Sequence, residues 1–167
     1  MGYPVRGFVV PFGWGTGFNR CIELARGCGF HYMRHTDAAP SFDLPGDFLD
    51  WHPTCHCSAD LAGLWATMLE RGKDQPGQLF NVWGHSYEFE DGLGWERIES
   101  FAALAAATPG VWFATKGEVY DYITTWRELD WSLDGAIVRN RSAAAVWFRQ
   151  AGETRVVRGG ETLRLEA

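Results

Sequence analysis

The sequence predicts an α/β protein with parallel strands and crossover helices, followed by a small C-terminal antiparallel β meander. The first observation behind this prediction is a strand–helix–strand unit within residues 6–34, the pattern of a parallel sheet. The second is a change after residue 130 to short strands separated by glycine-containing turns. We therefore expect two regions, residues 1–130 and residues 131–167.

The opening unit begins with the apolar run at residues 6–11, which is short enough for a buried strand. Asn19 is expected to cap the helix that follows, and glycines from Gly27 end it. A second strand is predicted at residues 30–34, and residues 37–54 then form a long packed loop.

Apolar periodicity and turn residues set the remaining elements. Ser58 is expected to cap a helix that ends just before Gly72. Further elements are predicted as a strand at 79–84, a helix at 94–107, a strand at 111–115, a helix at 119–126, and tail strands at 135–139, 144–149, 154–158 and 162–165.

Composition argues against nucleic-acid and membrane partners and leaves the role of the aromatic residues open. A net charge of −6 argues against nucleic acid, which is bound through clustered Lys and Arg. No apolar run is long enough to span a membrane, and the N-terminus lacks a signal peptide, so a cytoplasmic protein with reduced thiols is expected. Aromatic residues make up 15% of the chain, which fits an aromatic core more often than a surface for sugar rings.

Two stretches carry candidate chemistry. The run Cys55-His56-Cys57 invites a zinc interpretation, but it cannot complete a tetrahedron alone, so we favour the interpretation without a metal. His85 directly follows a buried strand, with Glu88 or Asp37 as an orienting carboxylate. From spacing alone, His85 is equally well a proton-transfer residue or a structural histidine.

Three segments together resemble a bacterial subgroup of the polysaccharide deacetylases, carbohydrate esterase family four. They are residues 6–13, the loop at 42–56, and residues 79–89 with the string Trp-Gly-His-Ser-Tyr-Glu-Phe, and residues 112–119 continue the match. The resemblance implies part of a distorted (β/α) barrel, a divalent metal such as zinc, and hydrolysis of N- or O-acetyl groups on a glycan.

The resemblance also implies roles for individual residues. His85 matches the late histidine that protonates the leaving group. Pro11 and Phe12 match a turn that shapes the substrate groove. Substrate-binding positions are further expected at Asp50 and Trp51, near the aromatic wall, and at Trp83 and Tyr87 beside His85.

The departures from the family pattern concern the metal and the base. The family's Asp-Asp-Gly motif and its His-x-x-x-His pair lie before the Pro-Phe-Gly turn, and this sequence begins just before that turn. Val9 stands where many relatives have Arg, and Lys116 where Asn is expected. We therefore expect the C-terminal half of such a barrel, with no metal ligand and no cofactor of its own, inactive as a deacetylase by itself.

Two functions stay open. The chain is either a deacetylase completed by the other half, or a non-catalytic carbohydrate-binding or assembly module that keeps an aromatic groove of Phe12, Trp14, Trp51 and Tyr87. In both cases the expected partner is a glycan or acetylated amino sugar, with no nucleic acid and no membrane. Half a barrel would expose the edge of strand 6–11, so a homodimer is expected as well.

Overall fold

The structure is a computed structural model that describes residues 4–12, 17–75 and 77–165. The chain divides into two compact units, residues 1–113 and 114–167. The first holds parallel strand pairs between helices, and the second holds antiparallel strands, so the predicted mixed α/β class with an antiparallel C-terminal region is confirmed. Within the described residues the parallel strands form two separate pairs, and a closed barrel is not seen.

Parallel pairing defines the first unit. Strand β1 (Gly7–Val9) pairs with β2 (Tyr32–Arg34), and β3 (Cys55–His56) pairs with β4 (Val82–Trp83). An isolated parallel bridge between Arg34 and Trp51 extends the pairing beyond β2. The carboxyl ends of these strands therefore carry the residues around positions 10, 35, 52, 57 and 84.

The helices of the first unit follow the predicted order with different caps. Helix α1 (Phe18–Gly27) starts after Gly17 without a side-chain cap, so the capping role predicted for Asn19 is wrong. Helix α2 (Leu61–Asp74) is capped by the Asp60 carboxylate, which accepts from the backbone of Gly63, and not by Ser58. A short turn α3 (Ser86–Glu88) precedes helix α4 (Trp95–Ala106).

Much of the aromatic content lies inside the first unit. The rings of Trp65, Phe80 and Phe101 contact one another with centroids 5.2 to 5.6 Å apart, between α2 and α4. The indole nitrogen of Trp65 donates to the Thr108 hydroxyl at 3.2 Å, which satisfies its one polar atom. A second cluster, around Val10, Met33 and Leu49, packs β1 and β2 against α1. The rings of Trp65, Phe80 and Phe101 therefore belong to the core, which is the use of aromatic residues that the composition favoured.

The second unit has a core of its own. Helix α5 (Lys116–Arg127) begins with a capping box between Thr115 and Glu118. It packs on strands of the unit, whose core consists of six buried residues: Leu129, Val138, Val146, Phe148, Val157 and Leu165. The strands are β5 (Asp130–Trp131), β6 (Ile137–Arg139), β7 (Val146–Gln150), β8 (Glu153–Val157) and β9 (Thr162–Arg164).

Strand order in this unit differs from a simple meander. Strand β6 pairs with β5 on one side and with β9 on the other. Strands β7 and β8, which lie between β6 and β9 in the sequence, pair with each other as a separate hairpin. Across the described parts of both units, no helix combines the length and apolar character needed to cross a membrane.

Candidate functional site

Four of the five histidines lie where parallel strands of the first unit end. His35 follows β2, His52 follows the residue that bridges to β2, His56 ends β3, and His85 comes just after β4. The carboxyl edge of a parallel sheet is where α/β proteins commonly place their sites. The structure gathers these histidines into two clusters, each around one carboxylate.

The first cluster, here called the Glu88 cluster, contains His56, Cys57, His85 and Glu88. One carboxylate oxygen of Glu88 lies 3.0 Å from Nε2 of His56. The other accepts a hydrogen bond from the backbone nitrogen of His85 at 2.6 Å and lies 3.2 Å from Nδ1 of the same residue. The Cys57 thiol lies 3.7 Å from that second oxygen. Glu88 thus contacts each of the other three residues of the cluster.

Electrostatics set the protonation states in this cluster. Partial desolvation acts to raise the pKa of Glu88, but the backbone and ring contacts of His85 and the charge of His56 outweigh it and hold the pKa below its usual value. Burial raises the pKa of Cys57, and the neighbouring Glu88 charge adds to the effect. Cys57 is therefore a thiol at neutral pH, which makes it a poor nucleophile.

Close backbone approach holds the cluster in shape. A Cβ atom on Gly84 would lie 2.3 Å from Sγ of Cys57, so only glycine fits where β3 and β4 end side by side. The guanidinium of Arg97 donates to the carbonyls of Cys57, Ser58 and Ala59 at 3.0, 2.7 and 2.5 Å. These three bonds tie the turn after β3 to helix α4.

His85 is the most accessible member of the Glu88 cluster. Its side chain is 52% exposed. The ring stacks on Tyr87, with centroids 5.0 Å apart, and meets Trp83 edge-on at 5.8 Å. Two of the aromatic residues expected beside His85 therefore do flank it, and Tyr87 is itself largely exposed.

The second cluster, here called the His35 cluster, contains His35, Asp50 and His52. Nε2 of His35 lies 2.5 Å from Oδ1 of Asp50, and Nε2 of His52 lies 3.4 Å from the same oxygen. The two imidazole rings stack with centroids 3.8 Å apart. Burial lowers the pKa of His35, as does the charge of His52, against the opposing attraction of Asp50. The neutral imidazole is the favoured form.

The other expected site residues lie in different surroundings. Trp51 is only 2% exposed, because it packs edge-on against Phe48, so its ring belongs to the core. Pro11 and Phe12 are exposed, and Phe12 has a left-handed backbone with φ of 60°. Trp14 lies outside the described residues.

Sequence reasoning missed the His35 cluster as a unit. It placed Asp50 among the expected substrate-binding residues and did not connect it with His35 or His52. The signal that joins them is the parallel bridge from Arg34 to Trp51, which sets the residues after each of the two side by side. That pairing has no mark in the spacing of the sequence.

Both clusters contain donor types suited to a divalent metal. In each, three ligand atoms lie within 4.8 Å of one another. Imidazole and carboxylate donors fit zinc, as does a cysteine once deprotonated. In the Glu88 cluster the protonated thiol and the mutual contacts oppose this use, whereas the His35 cluster has only imidazoles and a carboxylate.

Comparison with models of known families, with curated proteins and with solved structures gives no match to this chain. The deacetylase resemblance therefore rests on the sequence strings alone.

Proposed function

We propose that the first unit is a portion of a polysaccharide deacetylase-type (β/α) barrel, and that its Glu88 cluster serves removal of an acetyl group from a glycan. The support is twofold. The strings at residues 42–56 and 79–89 resemble that family, and the latter contains His85 and Glu88. The parallel pairs of short strands separated by helices are compatible with a barrel segment.

The contact between His85 and Glu88 carries the proposal. A carboxylate that accepts from both the backbone and the ring of one histidine fixes where that ring points. When the ring is protonated on both nitrogens, Nδ1–H is directed to Glu88 and Nε2–H is the group that can give up a proton. The ring is half exposed, which leaves room for a substrate.

In the proposed reaction, His85 is the general acid. The oxygen of a water molecule bonds to the acetyl carbonyl carbon while a proton of that water passes to the general base, and the carbon–nitrogen bond of the acetamide then breaks. The departing nitrogen takes the proton from Nε2 of His85, which leaves acetate, a free amine and a neutral imidazole still hydrogen-bonded to Glu88. A divalent metal, when bound, supplies polarisation of the carbonyl and activation of the water. By the resemblance, the base and that metal's ligands come from the preceding half of the barrel.

A second candidate is a non-catalytic glycan-binding module. The observation that favours it is the exposed Tyr87 ring stacked on His85, since flat exposed rings suit the faces of sugars. The two candidates differ in whether His85 moves a proton or only shapes a surface.

A complementation experiment separates them. The chain is fused behind the N-terminal half of a deacetylase of the resembled subgroup, and acetate release from chitooligosaccharides is measured with zinc present. We expect His85→Ala to lower turnover by about 100-fold or more, the usual scale for a general acid, while glycan binding changes little. His31→Ala, an exposed histidine outside both clusters, is the matched control.

Two outcomes would contradict the enzymatic proposal. If His85→Ala leaves the rate of acetate release unaltered, His85 has a structural role and is not the general acid. Glycan binding without turnover in the fusion favours the binding module instead. The chain by itself is expected to release no acetate, because the resembled base and metal ligands are not in this sequence.

A further inference from the structure

The His35 cluster is a second group of polar side chains, and it has no part in the reaction proposed for the Glu88 cluster. Its two Nε2 atoms converge on one oxygen of Asp50, at 2.5 Å from His35 and 3.4 Å from His52. The residues come from separate segments, which the bridge between Arg34 and Trp51 holds together. Three ligand-type atoms thus meet at one point on the carboxyl edge of the sheet.

The ring of His35 is buried with one nitrogen left over. The residue is 5% exposed, and its Nε2 makes no hydrogen bond of good geometry within the part of the chain that is described. The nearby Oδ1 of Asp50, at 2.5 Å, forms an ion pair with this nitrogen only when the ring is protonated. A buried polar atom in this position calls for a partner, since leaving one unpaired costs free energy.

The orientation of His52 points to a ligand for that place. Its Nδ1 lies 2.9 Å from the backbone carbonyl of Asp37, so Nδ1 carries the proton and donates it. In the neutral ring with this tautomer, Nε2 carries the lone pair, and it is this nitrogen that faces Asp50. A histidine that binds a metal through one nitrogen and donates to a backbone carbonyl from the other has the same arrangement.

The Glu88 cluster offers an internal comparison. There, the carboxylate oxygens already interact with both imidazoles and with a backbone N–H, and the cysteine is a thiol. The His35 cluster contains no thiol, and no hydrogen bond to the buried Nε2 of His35 is found within the described residues.

We propose that His35, Asp50 and His52 form a binding site for a divalent transition metal such as Zn²⁺. Two imidazoles and a carboxylate are a known three-ligand set for zinc, and they leave a fourth position open. Ligand atoms around a tetrahedral zinc are about 3.3 Å apart, as follows from bonds of about 2.0 Å. The Asp50 side chain is 48% exposed and has space to rotate outward and admit the ion. This site is separate from the proposed acid at His85 and does not depend on the proposed function.

Metal binding is tested on the whole chain after chelator treatment. Zn²⁺ is titrated in competition with a chromophoric chelator, and Co²⁺ is added in a parallel sample to record its visible absorption. We expect one ion per chain. Asp50→Asn and His52→Ala should each weaken zinc affinity by at least about 100-fold, because loss even of an outer-shell partner costs 10- to 100-fold.

Matched variants decide where the ion binds. His31→Ala and Glu88→Gln should keep zinc affinity, since neither residue belongs to the His35 cluster. Asp50 and His52 are partly exposed, so their variants are expected to fold, and circular dichroism checks this. Loss of binding in Glu88→Gln with retention in Asp50→Asn would move the ion to the Glu88 cluster and overturn the proposal. Absence of stoichiometric binding in the parent chain would overturn it equally.

Discussion

Glu88 binds the backbone nitrogen of His85 and approaches its Nδ1 with a single carboxylate oxygen, at 2.6 and 3.2 Å. The opposite oxygen is left for Nε2 of His56, at 3.0 Å. One carboxylate therefore organises two histidines from the ends of two different strands. Its charge state should control how well this edge of the sheet holds together.

The stabilising role of the Glu88 carboxylate should appear in how the free energy of unfolding depends on pH. Because the pKa of Glu88 is lower in the folded chain than its usual value, the carboxylate stabilises the fold above about pH 4.3. That contribution is lost as the pH falls through the folded pKa. We expect Glu88→Gln to be less stable than the parent at pH 7 and to lose less stability between pH 5 and pH 3. Urea unfolding at each pH measures this, and Glu90→Gln is the exposed control. Equal acid sensitivity in parent and variant would contradict it.

Steric fit at Gly84 gives a second prediction. A methyl group there would lie 2.3 Å from Sγ and 2.9 Å from Cβ of Cys57, so Gly84→Ala should destabilise the fold by about 1–3 kcal/mol. Gly27→Ala is the control, because a Cβ at Gly27 has nothing within 4 Å. Adding Cys57→Ala to Gly84→Ala removes the nearest atom and should recover part of the loss in a double-mutant cycle. Strictly additive losses would mean that the two residues do not clash.

The buried imidazole of His35 predicts a loss of stability near neutral pH. Burial and the His52 charge lower its pKa, so the folded chain binds fewer protons than the unfolded chain. The free energy of unfolding should therefore fall as the pH drops below about 6.5, until the folded pKa is reached. His35→Gln should flatten this fall in urea titrations with chelator present. A parent curve without any such fall between pH 7.5 and pH 5 would refute the prediction.

In the second unit, Asn140 should be the polar residue on which stability depends most. It is 1% exposed, and its amide nitrogen donates to the carbonyls of Ala144 and Val157 at 2.7 and 3.2 Å. Its oxygen accepts from both the backbone and the hydroxyl of Ser142. Asn140→Ala leaves these groups unpaired and should cost about 1–3 kcal/mol per stranded buried group. Thermal unfolding measures it, with the exposed Asn19→Ala as control; a change as small as that control would contradict the assignment.

Local pattern was enough to predict several elements. Helix α4 carries apolar periodicity and a Pro109-Gly110 stop, and the structure ends it at Ala106. The strand predicted at 111–115 is wrong, since these residues are irregular, and Trp112 and Phe113 are 56% and 62% exposed. A short apolar run predicts a buried strand because apolar residues are usually buried, and these two aromatic residues are exposed instead. Strand β3 was missed because two residues, Cys55 and His56, are too few to show alternation.

The candidate site was predictable where its members are close in sequence. His85 and Glu88 share one turn, and a carboxylate three residues after a histidine is visible in the sequence. The pairing of His35 with His52 depends on which strands lie side by side. That is a tertiary property, and local propensity does not specify it.

Arg97 gives the site a dependence on a distant element. Helix α4 holds the turn at residues 57–59 through one side chain that contacts three successive carbonyls. The turn cannot swing open unless the helix releases it, so local opening of the two should occur as one cooperative event. The edge that carries His56 and Glu88 is thus only as rigid as the docking of α4. A change in the packing of that helix would alter the spacing of the two histidines while every residue that touches them stayed the same.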